Sequence, residues 1–547
     1  MKKKIFIAAA AITMLFAGFK IHDDGDDFEL IKHLEIFHAI MRDIRIFYVD
    51  EPNSGELIKT AIDKMLETLD PYTVYYPESL VEDVMVMNKG EYAGIGADME
   101  NYNGKIIITA VYKDSPADKA GLTIGDIVTT INNKNVTGKN LDDISLLLKG
   151  EPGTTVTIAV NRDEKTKAIP VVRGIIEIKD IPYYGLLDEN IGYINLSGFT
   201  ENCSKQFKDA IIDLQNNKKI EKLIIDLREN PGGLLKEAVE IVNIFVNKGE
   251  KIVDMRGRVE QWNQIFYAQK QPLNTQIPIV VLVNSHSASA AEIVSGALQD
   301  LDRAVIIGEK TYGKGLVQNT KDLNYHAKFK ITTAKYYIPS GRCIQKLDYS
   351  HKNSQGKAEI IADSLVKTFK TAHGRIVKDA GGILPDILIN SDTLSHLVEN
   401  LIDNNIIFNY ATLYKRTHQT IEQPENFQIT DNELLKFKNF ANKNMYDYKT
   451  QSDEEIEILE KTIDEELNSE EIKKQISMLK QSIENKKKIN VNKYDNQIKI
   501  ALGAEIVGRY YYDEGIIRYS LSRDPYIYKA IGVLKDENLY KKLLSSN

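Results

Sequence analysis

Apolar residues recur at helical spacing in the first part of the chain and again in its last third. Over residues 27–85 they lie three or four positions apart, which is typical of amphipathic helices. After Gly382 the chain has no glycine until Gly503, and this stretch is rich in Glu, Lys and Leu, which favour helices. The pattern therefore predicts an N-terminal helical region over residues 27–85 and a C-terminal helical domain over residues 391–547.

Short strand-like runs punctuated by glycine occupy residues 86–173. The stretch from Ser115 to Gly121 combines an N-cap serine, a proline at the first helical position and a glycine that ends the helix. Residues 141–148 have an amphipathic pattern that predicts a second helix, and the alternation over residues 155–160 predicts an edge strand. These features predict a small domain built mainly from strands.

Buried-strand runs alternate with amphipathic helices over residues 174–390, which indicates an α/β core. Three of the runs, at residues 223–227, 279–283 and 305–308, each lead into a turn rich in small or polar residues. N–H groups are unpaired where such a turn opens a helix, and a developing anion is stabilised there. We therefore expect the chemistry of the protein in this region.

The composition excludes several classes of protein. A length of 547 residues suggests three or four domains, and 43% hydrophobic with 27% charged residues is ordinary for a globular protein. The net charge of −8 argues against a nucleic-acid-binding protein. Two cysteines, Cys203 and Cys343, cannot form a disulfide framework, and the sequence contains no HExxH motif or clustered His/Asp/Glu pattern. We expect neither a metal nor a cofactor.

The first twenty residues have the pattern of an export signal. Three lysines precede an uncharged apolar run, residues 5–19, in the order of the n- and h-regions of a signal peptide. As a helix this run is about 22 Å long, shorter than the ~30 Å hydrocarbon core of a bilayer. The residues after it only approximate a cleavage site, so residues 1–20 are predicted to be either a signal peptide or an uncleaved N-terminal anchor. The predicted location is the periplasm, with the protein either soluble or anchored to the inner membrane.

Serine is the candidate nucleophile, because the turn NSHSASAAE opens a helix whose N-terminus stabilises negative charge. This argument does not choose among the three serines of the turn, which are Ser285, Ser287 and Ser289. A Ser/His/Asp triad is an alternative mechanism, although no histidine lies in a sequence motif with an orienting acid. The histidines considered for it are His286, His326 and His373.

Three ordered motifs, DLRENPGG, NSHSASAAEIVSGALQD and GEKTYGKGLVQ, follow an upstream LDPYT and the stretch SPADKAGLTIGD. Together they resemble the C-terminal processing (tail-specific) peptidases of the S41 class, over roughly residues 28–390. The resemblance implies a crotonase/ClpP-like α/β protease core at residues 174–390, with a PDZ domain inserted at residues 86–173. In that family the nucleophile is the middle serine of a Ser-Ala-Ser-Ala-Ser-Glu run, here Ser289. Ala291 replaces the last serine of that run, which is not the nucleophile, so the expected activity is unaffected.

The same resemblance implies a Ser/Lys dyad, with Lys314 as the general base. A lysine accepts a proton only when it is neutral, so burial has to lower its pKa from about 10.4 towards 7. Gln318 lies four residues on, on the same face if the segment is a strand, and by resemblance orients the lysine. The implied donors to the tetrahedral oxyanion are the amides of Ala290 and of Gly232 or Gly233.

A PDZ domain implies that the protein binds the C-terminal end of its substrate. The matching loop is Gly94-Ile95-Gly96, whose backbone N–H groups would bond a terminal carboxylate while the peptide adds a strand. Leu146 and Leu147 are expected to face the apolar tail. The simpler interpretation is that these glycines only turn a hairpin, and that Lys149 nearby is a solvated side chain.

The sequence therefore predicts an exported serine endopeptidase that captures accessible C-terminal tails of proteins or peptides and cleaves near that end. A non-catalytic scaffold that binds tails through the same fold is the alternative, against which the intact Ser289, Lys314 and Gln318 argue. A crotonase-type acyl-CoA enzyme is a further alternative at the level of the fold, and the PDZ segment argues against it. Whether an adaptor protein or a homo-oligomer is involved stays open.

Overall fold

The computed structural model describes residues 24–81, 86, 88–389, 394–444, 451–466 and 469–546. The chain divides into two compact units, Met1–Tyr75 and Tyr76–Asn547. The predicted signal peptide or anchor, residues 1–20, lies outside the described residues. Within them, no helix has both the length and the apolar character needed to cross a membrane.

The first unit contains two helices, Asp24–Phe47 and Ser54–Glu67, as the periodicity predicted. Asn53 caps the second helix by accepting a hydrogen bond from the Glu56 N–H. The LDPYT turn follows this helix, and its Asp70 carboxylate accepts from the N–H groups of Tyr72 and Thr73, both at 2.8 Å. The strand Val74–Tyr76 and the 3₁₀ turn Glu78–Leu80 come next along the chain.

A small antiparallel sheet with two helices forms the segment that resembles a PDZ domain. Its strands, in spatial order, are Ala97–Tyr102, Lys105–Val111, Ile127–Ile131, Thr155–Arg162 and Lys165–Val172, with Lys134–Asn135 paired to the third. The helices are Pro116–Ala120 and Leu141–Leu148, and a separate ladder pairs Glu91–Gly94 with Gly174–Glu177. The prediction of an edge strand at residues 155–160 is wrong, because this strand is paired on both sides. Alternation of apolar and polar residues indicates only that one face of a strand is buried. An interior strand of an antiparallel sheet has this pattern as well as an edge strand.

A six-stranded sheet, mostly parallel, is the centre of the α/β core. Its strands, in spatial order, are Tyr183–Asp188, Ile191–Asn195, Lys222–Asp226, Ile279–Val283, Val305–Gly308 and Ile387–Leu388. One face packs against the helices Cys203–Lys218, Leu235–Asn243 and Ala290–Asp300. The other face packs against Pro525–Lys535 and Glu537–Leu543. Burial on both faces explains why these strands are continuous apolar runs in the sequence.

A second antiparallel sheet adjoins the core. It contains Lys251–Gly257, Gln264–Tyr267, Leu316–Asp322 and Lys328–Tyr337. Two small ladders pair Leu347–Lys352 with Ala358–Ile360 and Thr368–Lys370 with Ile376–Lys378. Short 3₁₀ turns occur at Glu260–Trp262 and Asp363–Leu365.

Most of the described residues from 396 to 546 are helical, as predicted. The helices are His396–Asp403, Ile406–Thr417, Asp431–Asn444, Gln451–Glu466, Glu470–Asn490 and Asp495–Leu521, with a 3₁₀ turn at Val491–Tyr494. The helices His396–Asp403, Ile406–Thr417, Asp431–Asn444 and Asp495–Leu521 share an apolar core of their own. The final two helices behave differently, because they cover the six-stranded sheet instead of joining that core.

Candidate functional site

Three polar turns meet at one edge of the six-stranded sheet. The strands Lys222–Asp226, Ile279–Val283 and Val305–Gly308 are parallel neighbours, so the turns that follow them emerge side by side. The turns also bond directly: the Ala288 N–H donates to the Asn230 carbonyl at 2.9 Å, and the Tyr312 N–H donates to the Ser287 carbonyl at 3.1 Å. The fold thus brings together the three motifs in which the sequence located the chemistry.

The three serines of the second turn have different environments. Ser285 is exposed. Ser287 is fully buried, and its hydroxyl donates to the Leu227 carbonyl at 2.7 Å and accepts from the Asn284 N–H at 3.0 Å. Ser289 is partly accessible and is the N-cap of helix Ala290–Asp300. Ser287 therefore has a structural role, and Ser289 is the serine whose position suits a nucleophile.

The backbone of Ser289 is held in an unusual conformation, with φ 55° and ψ −111°. Its N–H donates to Glu292 at 2.9 Å, and its carbonyl accepts from the Tyr336 hydroxyl at 3.1 Å. Burial, with a contribution from Glu292, raises the pKa of Tyr336, so this phenol stays a donor. Positive φ in a non-glycine residue costs free energy and persists only where contacts on both sides enforce it, as here.

Glu292 connects the turn that contains Ser289 (the nucleophile turn) to the turn that contains Lys314 (the lysine turn). Its carboxylate is fully buried and accepts four hydrogen bonds, from the Thr311 hydroxyl at 2.6 Å and from the N–H groups of Gly313, Lys314 and Ser289 at 2.8–2.9 Å. One oxygen, Oε2, accepts from both Ser289 and Lys314. Burial raises the pKa of Glu292 to about 7, and the hydrogen bonds oppose this rise. The sequence analysis missed this residue, although the spacing Ser-x-x-Glu is that of a capping box.

The two glycines beside Lys314 allow close packing, as expected. Gly313 has φ 87°, and a Cβ there would lie 2.6 Å from the Lys346 Cβ. A Cβ on Gly315 would lie 2.9 Å from the Gln345 nitrogen. The Gly315 N–H donates to the buried Gln345 side chain at 2.8 Å. Lys314 itself is half-buried.

Gln318 does not share a strand face with Lys314. The strand begins at Leu316, after the lysine, and the pairing register shifts between Val317 and Gln318. The same-face argument is therefore wrong, because it needs Lys314 to lie in the strand; the extra residue at the register shift, Thr333, belongs to the partner strand. The Gln318 amide donates to the Thr332 hydroxyl at 3.1 Å.

The glycines of the first turn lie against the nucleophile. A Cβ on Gly232 would be 2.8 Å from the Ser289 Cβ and 2.9 Å from the Ala290 nitrogen. The Gly232 N–H, however, already donates to the Asn230 side chain at 2.8 Å. Among the described residues, nothing accepts a hydrogen bond from the amides of Gly233 and Ala290. Of the three predicted oxyanion donors, Gly233 and Ala290 are the two whose N–H groups the fold leaves available.

His286, which lies three residues before Ser289, has an acid partner in the preceding turn. Its Nδ1 lies 3.0 Å from the Glu229 carboxylate, a pairing that no sequence motif indicated. Both side chains are about two-thirds exposed. His373 Nδ1 is 3.6 Å from Asp302, and His326 follows an exposed tyrosine in a turn. No group of His, Cys, Asp and Glu in the described part of the chain has the arrangement of a metal site.

A cavity of about 600 Å³ lies beside the helix Leu141–Leu148 of the small sheet domain. Gly94 and Ile95 line it, whereas Gly96 packs against Ser115 and accepts from its hydroxyl at 3.1 Å. The helix residues that line the cavity are Leu141, Asp142, Ile144, Ser145, Leu148 and Lys149. Leu146 is 68% exposed, and Leu147 packs against the core of the small sheet domain. The expectation that Leu146 and Leu147 face the groove is therefore wrong, because the lining positions 141, 144, 145 and 148 form one face of the helix and positions 146 and 147 lie outside it.

Comparison with known proteins gives three matching family models. Peptidase family S41 matches residues 190–350, a PDZ domain matches residues 107–162, and the probable PDZ-protease C-terminal helical domain matches residues 397–534. A carboxy-terminal-processing protease of Bartonella bacilliformis is 38% identical over 346 residues, 62% of this chain and 78% of that protein. A probable CtpA-like serine protease of Staphylococcus haemolyticus is 32% identical over 69% of this chain and 74% of that protein. The solved photosystem II D1 C-terminal processing protease is 24% identical, with a TM-score of 0.36, over 66% of this chain and 94% of that chain.

Proposed function

From the premise that this chain belongs to the S41 family of C-terminal processing serine proteases, we propose that it is an endopeptidase with Ser289 as nucleophile and Lys314 as general base. The observation that carries this proposal is the shared oxygen of Glu292, which accepts the backbone N–H of both residues at 2.9 Å. Two turns that are 25 residues apart in sequence are thereby joined through a single atom. The resemblance named the two residues, and the hydrogen bonds supply a reason for their proximity.

The proposed reaction is an acyl transfer in two steps. Neutral Lys314 Nζ takes the proton of the Ser289 hydroxyl as Oγ attacks the scissile carbonyl carbon. The amides of Gly233 and Ala290 donate to the oxyanion, and the lysine returns the proton to the leaving amine as the C–N bond breaks. Water, deprotonated by the same lysine, then hydrolyses the ester and releases Ser289. We retain Gln318 as the residue that orients the lysine, on the family resemblance alone.

The small sheet domain is proposed to select the substrate by its C-terminal tail. The edge at Gly94 and Ile95 would donate backbone N–H groups to the terminal carboxylate, while the cavity beside helix Leu141–Leu148 receives apolar side chains. Protein or peptide substrates with accessible tails are thus the expected partners. We further propose that the chain is exported to the periplasm, with residues 1–20 as a signal peptide or residues 5–19 as an inner-membrane anchor.

The test is cleavage of a reporter protein with an apolar C-terminal tail, with the cut sites mapped by mass. We expect Ser289→Ala to abolish cleavage without unfolding the protein, because alanine fits the same small space. Ser285→Ala is the matched control, since Ser285 is exposed in the same turn, and it should cleave at the wild-type rate. Tail binding without any cleavage by the wild type would instead favour the non-catalytic scaffold.

The His286–Glu229 pair favours a second candidate mechanism, in which the histidine is the base. With Nδ1 towards Glu229, Nε2 is free to accept a proton, as in a catalytic triad. His286→Ala and Lys314→Ala separate the two mechanisms. A wild-type rate for His286→Ala with loss of cleavage in Lys314→Ala supports the lysine, and the reverse result supports the histidine.

A further inference from the structure

Asp524, the N-cap residue of helix Pro525–Lys535, forms an ion pair with Arg228. Arg228 lies next to the turn that contains Gly232 and Gly233, which we call the oxyanion turn. The Asp524 carboxylate lies 2.6 Å from Arg228 Nη2, and the same guanidinium nitrogen lies 2.6 Å from Asp226. All three side chains are at least four-fifths buried. Arg228 directly precedes the turn that contains Gly232 and Gly233, so a C-terminal helix holds the base of that turn.

The first turn of the same helix also contacts the segment that leads to the lysine. The Tyr526 hydroxyl donates to Glu309 at 2.9 Å, and the Arg228 guanidinium lies over the Tyr526 ring, 4.9 Å from its centroid. Glu309 follows strand Val305–Gly308, just before the residues that bond Glu292. Asp524 therefore contacts Arg228 beside the oxyanion turn, and Tyr526 contacts Glu309 just before the lysine turn.

Helix Pro525–Lys535 lies on the face of the six-stranded sheet opposite helix Ala290–Asp300, whose N-cap is Ser289. Tyr526 and Ile527 pack on Tyr193, Ile224 and their neighbours, whereas Ala290–Asp300 packs on the other face. The contacts through which this helix reaches the two turns are those of Asp524 with Arg228 and of Tyr526 with Glu309.

We propose that Asp524 and Tyr526 are positioning residues, which fix the oxyanion turn through Arg228 and the lysine turn through Glu309. This inference rests on the proposed roles of Ser289, Lys314 and the Gly233 amide. Its physical basis is that small displacements of donors and bases slow a reaction strongly, up to about a hundredfold for about 1 Å. The C-terminal helices are then part of the catalytic machinery, although they supply no catalytic residue.

Two conservative substitutions distinguish a positioning role of these residues from a role in folding. Asp524 also caps its helix by accepting from the Tyr526 N–H at 2.8 Å, and asparagine is an equally good N-cap residue. Asp524→Asn thus weakens the ion pair and keeps the cap, while Tyr526→Phe removes only a hydroxyl. Matched controls exist on the same segment: Asp536 caps the next helix through the Leu539 N–H, and the Tyr528 hydroxyl donates to the Ser522 carbonyl.

The experiment compares kcat, KM and thermal unfolding of the full chain with a tailed reporter. We expect Asp524→Asn with Tyr526→Phe to lower kcat about tenfold at unchanged KM, while Asp536→Asn with Tyr528→Phe keeps the wild-type kcat. Both double variants should unfold within a few degrees of the wild type. Arg228→Gln alone should lower kcat similarly, and adding Asp524→Asn to it should cost little more, because the two residues act as one unit.

Two results distinguish the possible failures. Absence of any Ser289-dependent cleavage by the wild type overturns the proposed function, and the positioning role with it. Ser289-dependent cleavage with equal kcat in the two double variants, or with additive losses from Arg228→Gln and Asp524→Asn, overturns only the positioning role. If the double variant unfolds, Tyr526→Phe alone decides the question, since an unchanged kcat contradicts the contact with Glu309.

Discussion

At the scale of single residues, the site depends on the ionised form of Glu292. All four of its partners are donors, so the carboxylate satisfies them only without a proton. The phenol of Tyr336 is a titratable neighbour, and burial together with Glu292 raises its pKa. Because burial raises its pKa to about 7, Glu292 gains its proton within the range in which enzymes usually work.

Activity should therefore rise with pH. Below about pH 7 Glu292 carries a proton that the site has to lose, so log(kcat/KM) should rise with pH, and Glu292 should contribute one unit to the slope. Glu292→Gln should lower kcat about a hundredfold, since the amide nitrogen accepts no hydrogen bond and leaves buried N–H groups unpaired. In that variant the slope should be smaller by one unit. An unchanged slope would show that the protonation of Glu292 does not control the rate.

The stability of the fold should change in the opposite direction over the same range. The folded-state pKa of Glu292 lies above its ordinary value of 4.5, so the folded chain binds a proton that the unfolded chain has released. The free energy of unfolding contributed by this group thus falls as pH rises from 4.5 to about 7, and is constant above that. Thermal unfolding of wild type and Glu292→Gln between pH 5 and 8 measures it, and parallel curves would contradict it.

Lys314 is expected to tolerate no replacement. Lys314→Ala should lower kcat about a thousandfold, because a general base contributes between about 10² and 10⁴ to a rate. Lys314→Arg should not restore activity, since a guanidinium keeps its proton at accessible pH. Rate measurements on both variants, with Ser285→Ala as the control, test this. An arginine variant that cleaves at the wild-type rate would eliminate the lysine base.

At the scale of elements, the sequence predicted best what is local. The strands at residues 279–283 and 305–308 and the helix Leu141–Leu148 have the predicted bounds, because full burial or an N-cap residue fixes each one. The pairing of strand Thr155–Arg162, the register shift at Gln318 and the Asp524–Arg228 ion pair depend on residues distant in sequence. The hydrophobic periodicity of a segment does not identify the residues with which it pairs. These features were therefore missed or predicted wrongly.

The groove of the small sheet domain gives a prediction within one helix. Leu141 lines the cavity and Leu146 points away from it, and both are exposed enough to accept a charge. Leu141→Glu should raise KM for a tailed substrate about tenfold, since its carboxylate repels the terminal carboxylate, whereas Leu146→Glu should leave KM unchanged. Amidating the substrate tail should weaken wild-type binding by a similar factor. Equal KM values for the two leucine variants would show that the cavity does not hold the tail.

At the scale of the whole molecule, the six-stranded sheet depends for its cover on helices that come more than 130 residues after its last strand. One of its faces is covered by Pro525–Lys535 and Glu537–Leu543, with Tyr526, Ile527, Val533 and Leu534 packed on apolar strand residues. Deleting residues 523–547 should expose this face and cause aggregation of the protein, because a patch of this kind is not stable in water. Deleting only residues 545–547 should leave it folded. Solubility and circular dichroism of the two truncations check this, and a folded monomer of the shorter one would contradict it.

The position of those helices also determines when a newly made chain can become active. Every residue proposed to act on the substrate has been synthesised once residue 318 is made, but Asp524 and Tyr526 come more than 200 residues later. During that interval one face of the sheet is uncovered, and Arg228 has only Asp226 as an ion-pair partner. We therefore expect a newly made chain to cleave its own kind and its neighbours only slowly until Asp524 and Tyr526 have been added and have folded onto the sheet.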